Sequence, residues 1–175
     1  MHPLSPPDSD TFADVLRRTR LAAIVRGQDP DAALRTVLTL AEEGVALVEV
    51  SLNTTDALGV IRRAAAEVGP GFVGACDVLL GQYGAGADAV KLFPASLGGP
   101  AYLKALRDPF PDMPIVPVGG VDLAGAERYL AHGAVAVGVG SPLVGDAAHG
   151  GDLAALRQRA RGFVALCSAG TREDV

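Results

Sequence analysis

At 175 residues, 49% of them hydrophobic and 20% charged, the chain is long enough to bury a real core and reads as one soluble globular domain. A net charge of −5 with no basic cluster or stripe argues against a nucleic-acid partner, and no apolar run approaches the length of a membrane span. The two cysteines, Cys76 and Cys167, lie far apart with no metal spacing, as ordinary thiols of a reducing, cytoplasmic setting do.

Residues 1–10 are proline-rich and acidic, with no basic start and no apolar centre, so they read as a disordered tail ahead of a single domain over 11–170. Thr11 to Arg20 is a short helical candidate that would close one end of the fold. Leu21 to Val25 is a continuous apolar strand, of the kind that suits a parallel sheet covered on both faces. Asp29-Pro30-Asp31 starts a helix, whose apolar face is Ala33, Leu34, Val37, Leu38 and Ala41, and Gly44 ends it. Val45 to Leu52 is the second strand. Thr54 or Thr55 is the expected cap of the next helix, and Gly69-Pro70 its stop. Phe72 to Leu80 is the third strand.

Here the rhythm breaks. Only Gly81 to Gly86 separates Leu80 from the strand that holds Lys91, whereas a parallel crossover normally needs a dozen residues or more. Alternation then resumes: a helix from Ala101 to Arg107, a strand from Pro114 to Val118, a helix from Asp122 to His132, a strand from Ala134 to Val139, and a last helix from Asp152 to Leu166. Six βα units of this kind predict a parallel α/β fold, either a barrel or an open sheet.

In both architectures chemistry gathers at the C-terminal ends of the strands. Arg26 ends the first strand, Glu49 lies in the second, Cys76 and Asp77 in the third, and Lys91 in the fourth. Lysine is rare here: thirteen of the fifteen basic residues are arginine, and Lys91 and Lys104 are the other two. A lysine that loses solvent shifts toward its neutral amine, the form that attacks a ketone to make a Schiff base. Glu49 is then a candidate for moving protons and Arg26 for holding a carboxylate. The bland alternatives are a snorkelling Lys91, or a buried Lys91–Glu49 ion pair without chemistry. Gly119-Gly120 and the run from Gly138 to Ser141 each lie between a strand and a helix, where freed backbone N–H groups can cradle a phosphate. Tight turns need such glycines as well.

Six stretches carry a resemblance, in this order: Val25-Arg26-Gly27, Glu49-Val50-Ser51-Leu52-Asn53-Thr54, Lys91-Leu92-Phe93-Pro94-Ala95, Gly98-Gly99, Pro117 to Val121 and Val137 to Ser141. Together they resemble the class I 2-keto-3-deoxy-6-phosphogluconate / 4-hydroxy-2-oxoglutarate aldolases, from about Leu21 to the last helix. The resemblance implies a TIM-barrel-derived parallel (β/α) fold, usually homotrimeric, that needs neither metal nor cofactor. It implies cleavage of a small 2-keto-4-hydroxy acid to pyruvate and an aldehyde. By resemblance Lys91 is the Schiff-base lysine and Glu49 the general acid/base working through a water. Arg26 and Phe93 belong to the substrate site, and Gly119, Gly120, Gly140 and Ser141 bind its phosphate.

The chain departs from the family in three ways. It is about two βα units short, six in place of eight, with the loss at Gly81–Gly86. It has Gly74-Ala75-Cys76-Asp77-Val78 where the family has Gly-Ala-Gly-Thr-Val, and Val118 where many phosphogluconate-type members have threonine. An ionised Asp77 would repel a substrate carboxylate. These departures define an alternative: an impaired remnant that binds a phosphate or keto acid without turnover. A closed six-strand barrel would crush the interior layers, so the expected architecture is an incomplete barrel that relies on self-association.

Overall fold

A computed structural model of the protein describes residues 11–69, 73–74 and 89–169. The predicted tail, the outer part of the third strand with Cys76 and Asp77, and the connection Gly81–Gly86 lie outside the described residues. Six strands are described: β1 (Leu21–Val25), β2 (Val48–Val50), β3 (Val73–Gly74), β4 (Val90–Leu92), β5 (Ile115–Pro117) and β6 (Val137–Val139). The helices are α1 (Phe12–Thr19), α2 (Pro30–Glu42), α3 (Ala57–Val68), α4 (Gly99–Arg107), α5 (Leu123–Ala131), α6 (Ser141–Val144) and α7 (Leu153–Ala169).

Local chemistry sets most helix starts. Thr11 and Asp14 form a reciprocal capping box on α1, with Asp14 N–H donating to Thr11 Oγ1 at 3.2 Å and Thr11 N–H to Asp14 Oδ2 at 3.1 Å. Asp29 Oδ1 accepts from the N–H groups of Asp31 and Ala32, and Pro30 sits at the first helical position. Asp122 Oδ1 accepts from Gly125 N–H at 2.7 Å at the head of α5. The expected cap of α3 is corrected. Its cap position is Asp56, with a left-handed φ of 49° and no side-chain cap bond. Thr54 instead turns inward, buried, with its hydroxyl 3.5 Å from Val25 O, and Thr55 Oγ1 bonds Gln28 Oε1. Both hydroxyls serve the loop after β1, so neither caps the helix.

The second, fifth and sixth strands are shorter than the apolar runs that predict them. Val45 N–H bonds Leu40 O at 3.0 Å and Ala134 N–H bonds Tyr129 O at 3.0 Å. These amides close the ends of α2 and α5 and are withdrawn from the ladders. Two 3-10 turns, Ala95–Leu97 and Ala147–His149, and the four-residue α6 carry no periodic pattern and were not predicted.

Pairing is parallel throughout. One sheet runs β3-β2-β1-β6 and another pairs β4 with β5, and an isolated bridge from Val118 to Gly138 joins β5 to β6. The six strands therefore form one arc, β3-β2-β1-β6-β5-β4. It is the strand sequence of a barrel interrupted between β3 and β4, which do not pair among the described residues. Leu21, Ala23 and Val25 of β1, Val48 and Val50 of β2, and Val90 and Leu92 of β4 are buried, while Ala22, Ile24, Glu49 and Lys91 between them face the other way and keep some exposure. On the convex side α7 packs on α2 and α5 through Leu156, Ala160, Phe163 and Cys167, one stripe at helical spacing. Burying Leu156 or Phe163 is worth about 1.5–3 kcal/mol each. The short α1, buried through Ala13, Val15 and Leu16, packs on α7.

Candidate active site

Glu49 comes from β2 and Lys91 from β4. These strands are four steps apart along the arc, about 19 Å in a flat sheet at about 4.8 Å per step. Lys91 Nζ nevertheless lies 3.6 Å from Glu49 Oε2. Only a strongly curled sheet brings them together, so the concave face is a half-closed barrel interior. Their side chains are 21% and 15% exposed. Lys91 neither snorkels freely nor loses solvent completely.

The surroundings follow from register. Ile24 stands beside Glu49 and Val116 beside Lys91 on paired strands, so these side chains share the concave face. Val118, two residues further on, reaches over Gly138: its Cγ2 lies 2.6 Å from where a Cβ on Gly138 would be. A carboxylate and an ammonium thus face each other among branched apolar side chains, where their interaction is stronger than in water.

The loops at the strand ends hold the other candidates. Arg26 follows β1 directly and is exposed. The next residue must be glycine, because a Cβ on Gly27 would run into Ala148 O. Phe93 follows β4 and is 63% exposed, with one edge of its ring on Gly119, whose Cβ would lie 2.7 Å from the ring. Gly119 and Gly120 have φ of 92° and 74°, which L side chains rarely adopt. Ala95 N–H bonds Val118 O at 2.8 Å and Ser96 N–H bonds Gly119 O at 3.1 Å. With the Gly119 carbonyl held by Ser96, the planar trans peptide directs Gly120 N–H away from that turn. Gly140 O accepts from Leu143 and Val144 N–H at 3.0 and 2.9 Å. The same planarity directs Ser141 N–H out of α6, back toward the strand ends. A Cβ at Gly140 would meet only Ile24 O, at 3.9 Å.

Tyr129 was missed. It is buried on α5, and its hydroxyl donates to Ala95 O at 2.7 Å, tying that helix to the turn after the Lys91 strand. Burial pushes its phenol above the ordinary range, which keeps the donor proton in place. A tyrosine inside an otherwise apolar helical stripe is the signal, since a buried phenol needs a partner. Among the described residues no three His, Cys, Asp or Glu side chains gather as metal ligands. No described helix is long and apolar enough to cross a membrane.

Residues 70–158, half of the chain, match the family described as KDPG and KHG aldolase. Over 63 residues, 35% of this chain and 28% of the relative, the sequence is 48% identical to the 2-dehydro-3-deoxy-phosphogluconate aldolase of Pseudomonas aeruginosa. It is 30% identical over 172 residues to the 2-dehydro-3-deoxy-6-phosphogalactonate aldolase of Escherichia coli K12, covering 70% of this chain and 83% of that one. Since 70% of 175 residues is about 122, about fifty of those 172 positions have no residue here, the size of the two missing βα units. A solved native KDPGal structure, 28% identical, superposes with a TM-score of 0.66 over 87% of this chain and 96% of that one.

Proposed function

The chain belongs to the KDPG and KHG aldolase family, a family of carbon–carbon lyases, and from that premise we propose a class I aldolase that cleaves a 2-keto-3-deoxy-6-phospho sugar acid or 4-hydroxy-2-oxoglutarate to pyruvate and an aldehyde. The observation that carries this reading is the Lys91–Glu49 pair, 3.6 Å apart across the concave face. A partly buried ion pair on core strands is weak support for stability, because its desolvation offsets most of its attraction. It is the arrangement that amine chemistry needs.

Lys91 passes its ammonium proton to Glu49, the freed amine adds to the C2 ketone, and Glu49 returns that proton to the departing hydroxyl so that loss of water leaves a protonated Schiff base and an ionised Glu49. The C4 hydroxyl gives up its proton, directly or through a water, to Glu49. The C3–C4 bond breaks, its electrons pass into the iminium to leave an enamine, and the aldehyde departs. Glu49 returns the proton to C3, and hydrolysis frees pyruvate and the Lys91 amine. Arg26 at the end of β1 holds the keto-acid carboxylate, and Phe93 walls the site. The Gly119-Gly120 and Gly140-Ser141 amides take the phosphate. The names of the similar aldolases support a phosphorylated substrate. We further propose a cytoplasmic homo-oligomer, a trimer by family.

The test is borohydride reduction in the presence of pyruvate, with intact mass and peptide mapping. With only two lysines in the chain, the position of an adduct is unambiguous. A pyruvyl adduct on Lys91 that disappears in Lys91→Ala is expected. One observation favours a second reading, a remnant that binds a phosphate or keto acid without turnover: among the described residues β3 and β4 do not pair, so the described strands do not close a barrel. Folded protein without an adduct would select that reading.

A further inference from the structure

The Gly140-Ser141 loop owes its position to a short helix that packs through the buried Leu143 and Val144 but closes few hydrogen bonds of its own. The four residues of α6 make their own bonds only from Leu143, Val144 and Gly145 N–H back to Gly140 and Ser141. Four residues are too few for a helix to persist on propensity. Its last carbonyls are held from outside. Arg159 of α7 donates from Nε to Leu143 O at 2.7 Å and from an Nη to Val144 O at 3.0 Å. A planar guanidinium delivers two donors at fixed spacing, and its charge sits at the negative end of the helix. Gly145 makes room for it: φ there is 59°, and a Cβ would lie 2.5 Å from the nearer Nη. Arg159 itself rides on a 17-residue helix anchored by Leu156, Ala160 and Phe163, so the clamp is rigid.

We propose that Arg159 is a positioning residue for the phosphate end of the substrate: it clamps the C-terminus of α6 and thereby aims the Gly140-Ser141 amide. It touches no substrate. The proposal rests on the aldolase reading and adds to it the device that sets phosphate affinity.

The experiment compares wild type, Arg159→Met and Arg159→Lys on 2-keto-3-deoxy-6-phosphogluconate and on unphosphorylated 4-hydroxy-2-oxoglutarate, with inorganic phosphate as competitive inhibitor. In Arg159→Met, KM for the phosphorylated substrate should rise about ten- to a hundredfold, the scale of a misplaced binding group. Its kcat should hold, phosphate inhibition should weaken in step, and the unphosphorylated substrate should be unaffected. Arg159→Lys, which keeps the charge but loses the fixed pair of planar donors, should fall between. Equal losses on both substrates, or an unmoved KM for the phosphorylated one, would overturn the proposal. Pyruvate trapping separates the two claims. If wild type forms no adduct, the aldolase reading fails and calorimetry with inorganic phosphate alone decides: weaker binding in Arg159→Met supports the clamp. Equal binding, or none in wild type, rejects it.

Discussion

In the proposed mechanism Lys91 is the nucleophile and Glu49 the proton carrier, so removing each has a different signature. Lys91→Ala should abolish turnover and trapping together. Glu49→Gln should keep a slow pyruvate adduct but lower kcat by about 10²–10⁴-fold, the usual worth of a positioned acid/base. Parallel kinetics and trapping on the two variants check this, and an active Glu49→Gln would reassign the proton carrier. Cys167 is the contrasting case. It is fully buried at the foot of α7, and burial pushes its thiol up to about 11. Thiolate is the reactive form, so at pH 8 the folded protein should leave Cys167 unlabelled by iodoacetamide, and denaturant should expose it. Peptide mapping reads that position alone. The candidate site was legible at this scale because a lysine and a glutamate inside apolar strands are conspicuous. Their separation was not, since it depends on how far the sheet curls.

At the scale of elements, α2 and α7 are pinned by charge as well as packing. Glu43, just past the end of α2, accepts from Arg161 and Arg157 of α7 at 2.6–3.1 Å, and its side chain is only 10% exposed. Hydrogen bonds from Arg161 first and Arg157 second hold its carboxyl below its ordinary 4.5. A carboxyl depressed in the folded state contributes stability above its unfolded pKa and loses it as pH falls through the folded one. Glu43→Gln should therefore be less stable than wild type at pH 7, and the gap should close as the pH is lowered below about 4.5, as urea midpoints at each pH would show. A gap independent of pH would mean that shape, not charge, joins the helices. Asp122→Ala removes the cap of α5 and should cost about 1 kcal/mol in the same assay. Most helix starts were legible because caps are local. The start of α3 was not, because Thr54 and Thr55 are claimed by Val25 O and Gln28 from across the fold.

For the whole molecule, the arc leaves β3 and β4 as edges that do not pair with each other among the described residues. Around the strand ends Leu52, Phe93 and Leu97 are 56%, 63% and 85% exposed, more apolar surface than a solitary barrel mouth needs. Self-association should accordingly appear in sedimentation velocity at micromolar protein, with a species heavier than the monomer. A single compact monomer across a hundredfold range of concentration would refute it. About fifty positions of the similar Escherichia coli aldolase have no counterpart here, and the described strands still take a barrel order, since each strand after β3 takes its place from the neighbour it pairs with.

The sequence by itself determined the alternation of strand and helix, most helix boundaries, and which strands carry the lysine, the glutamate and the glycine turns. Those follow from periodicity, capping and turn chemistry within a few residues of each position. Only the tertiary structure decided the arc order, the meeting of Lys91 with Glu49, the inward turn of Thr54, the Tyr129 tie and the Arg159 clamp on a helix too short to show in any pattern. Each of these joins residues distant along the chain, and sheet curvature and inter-strand register set them, which no local window contains.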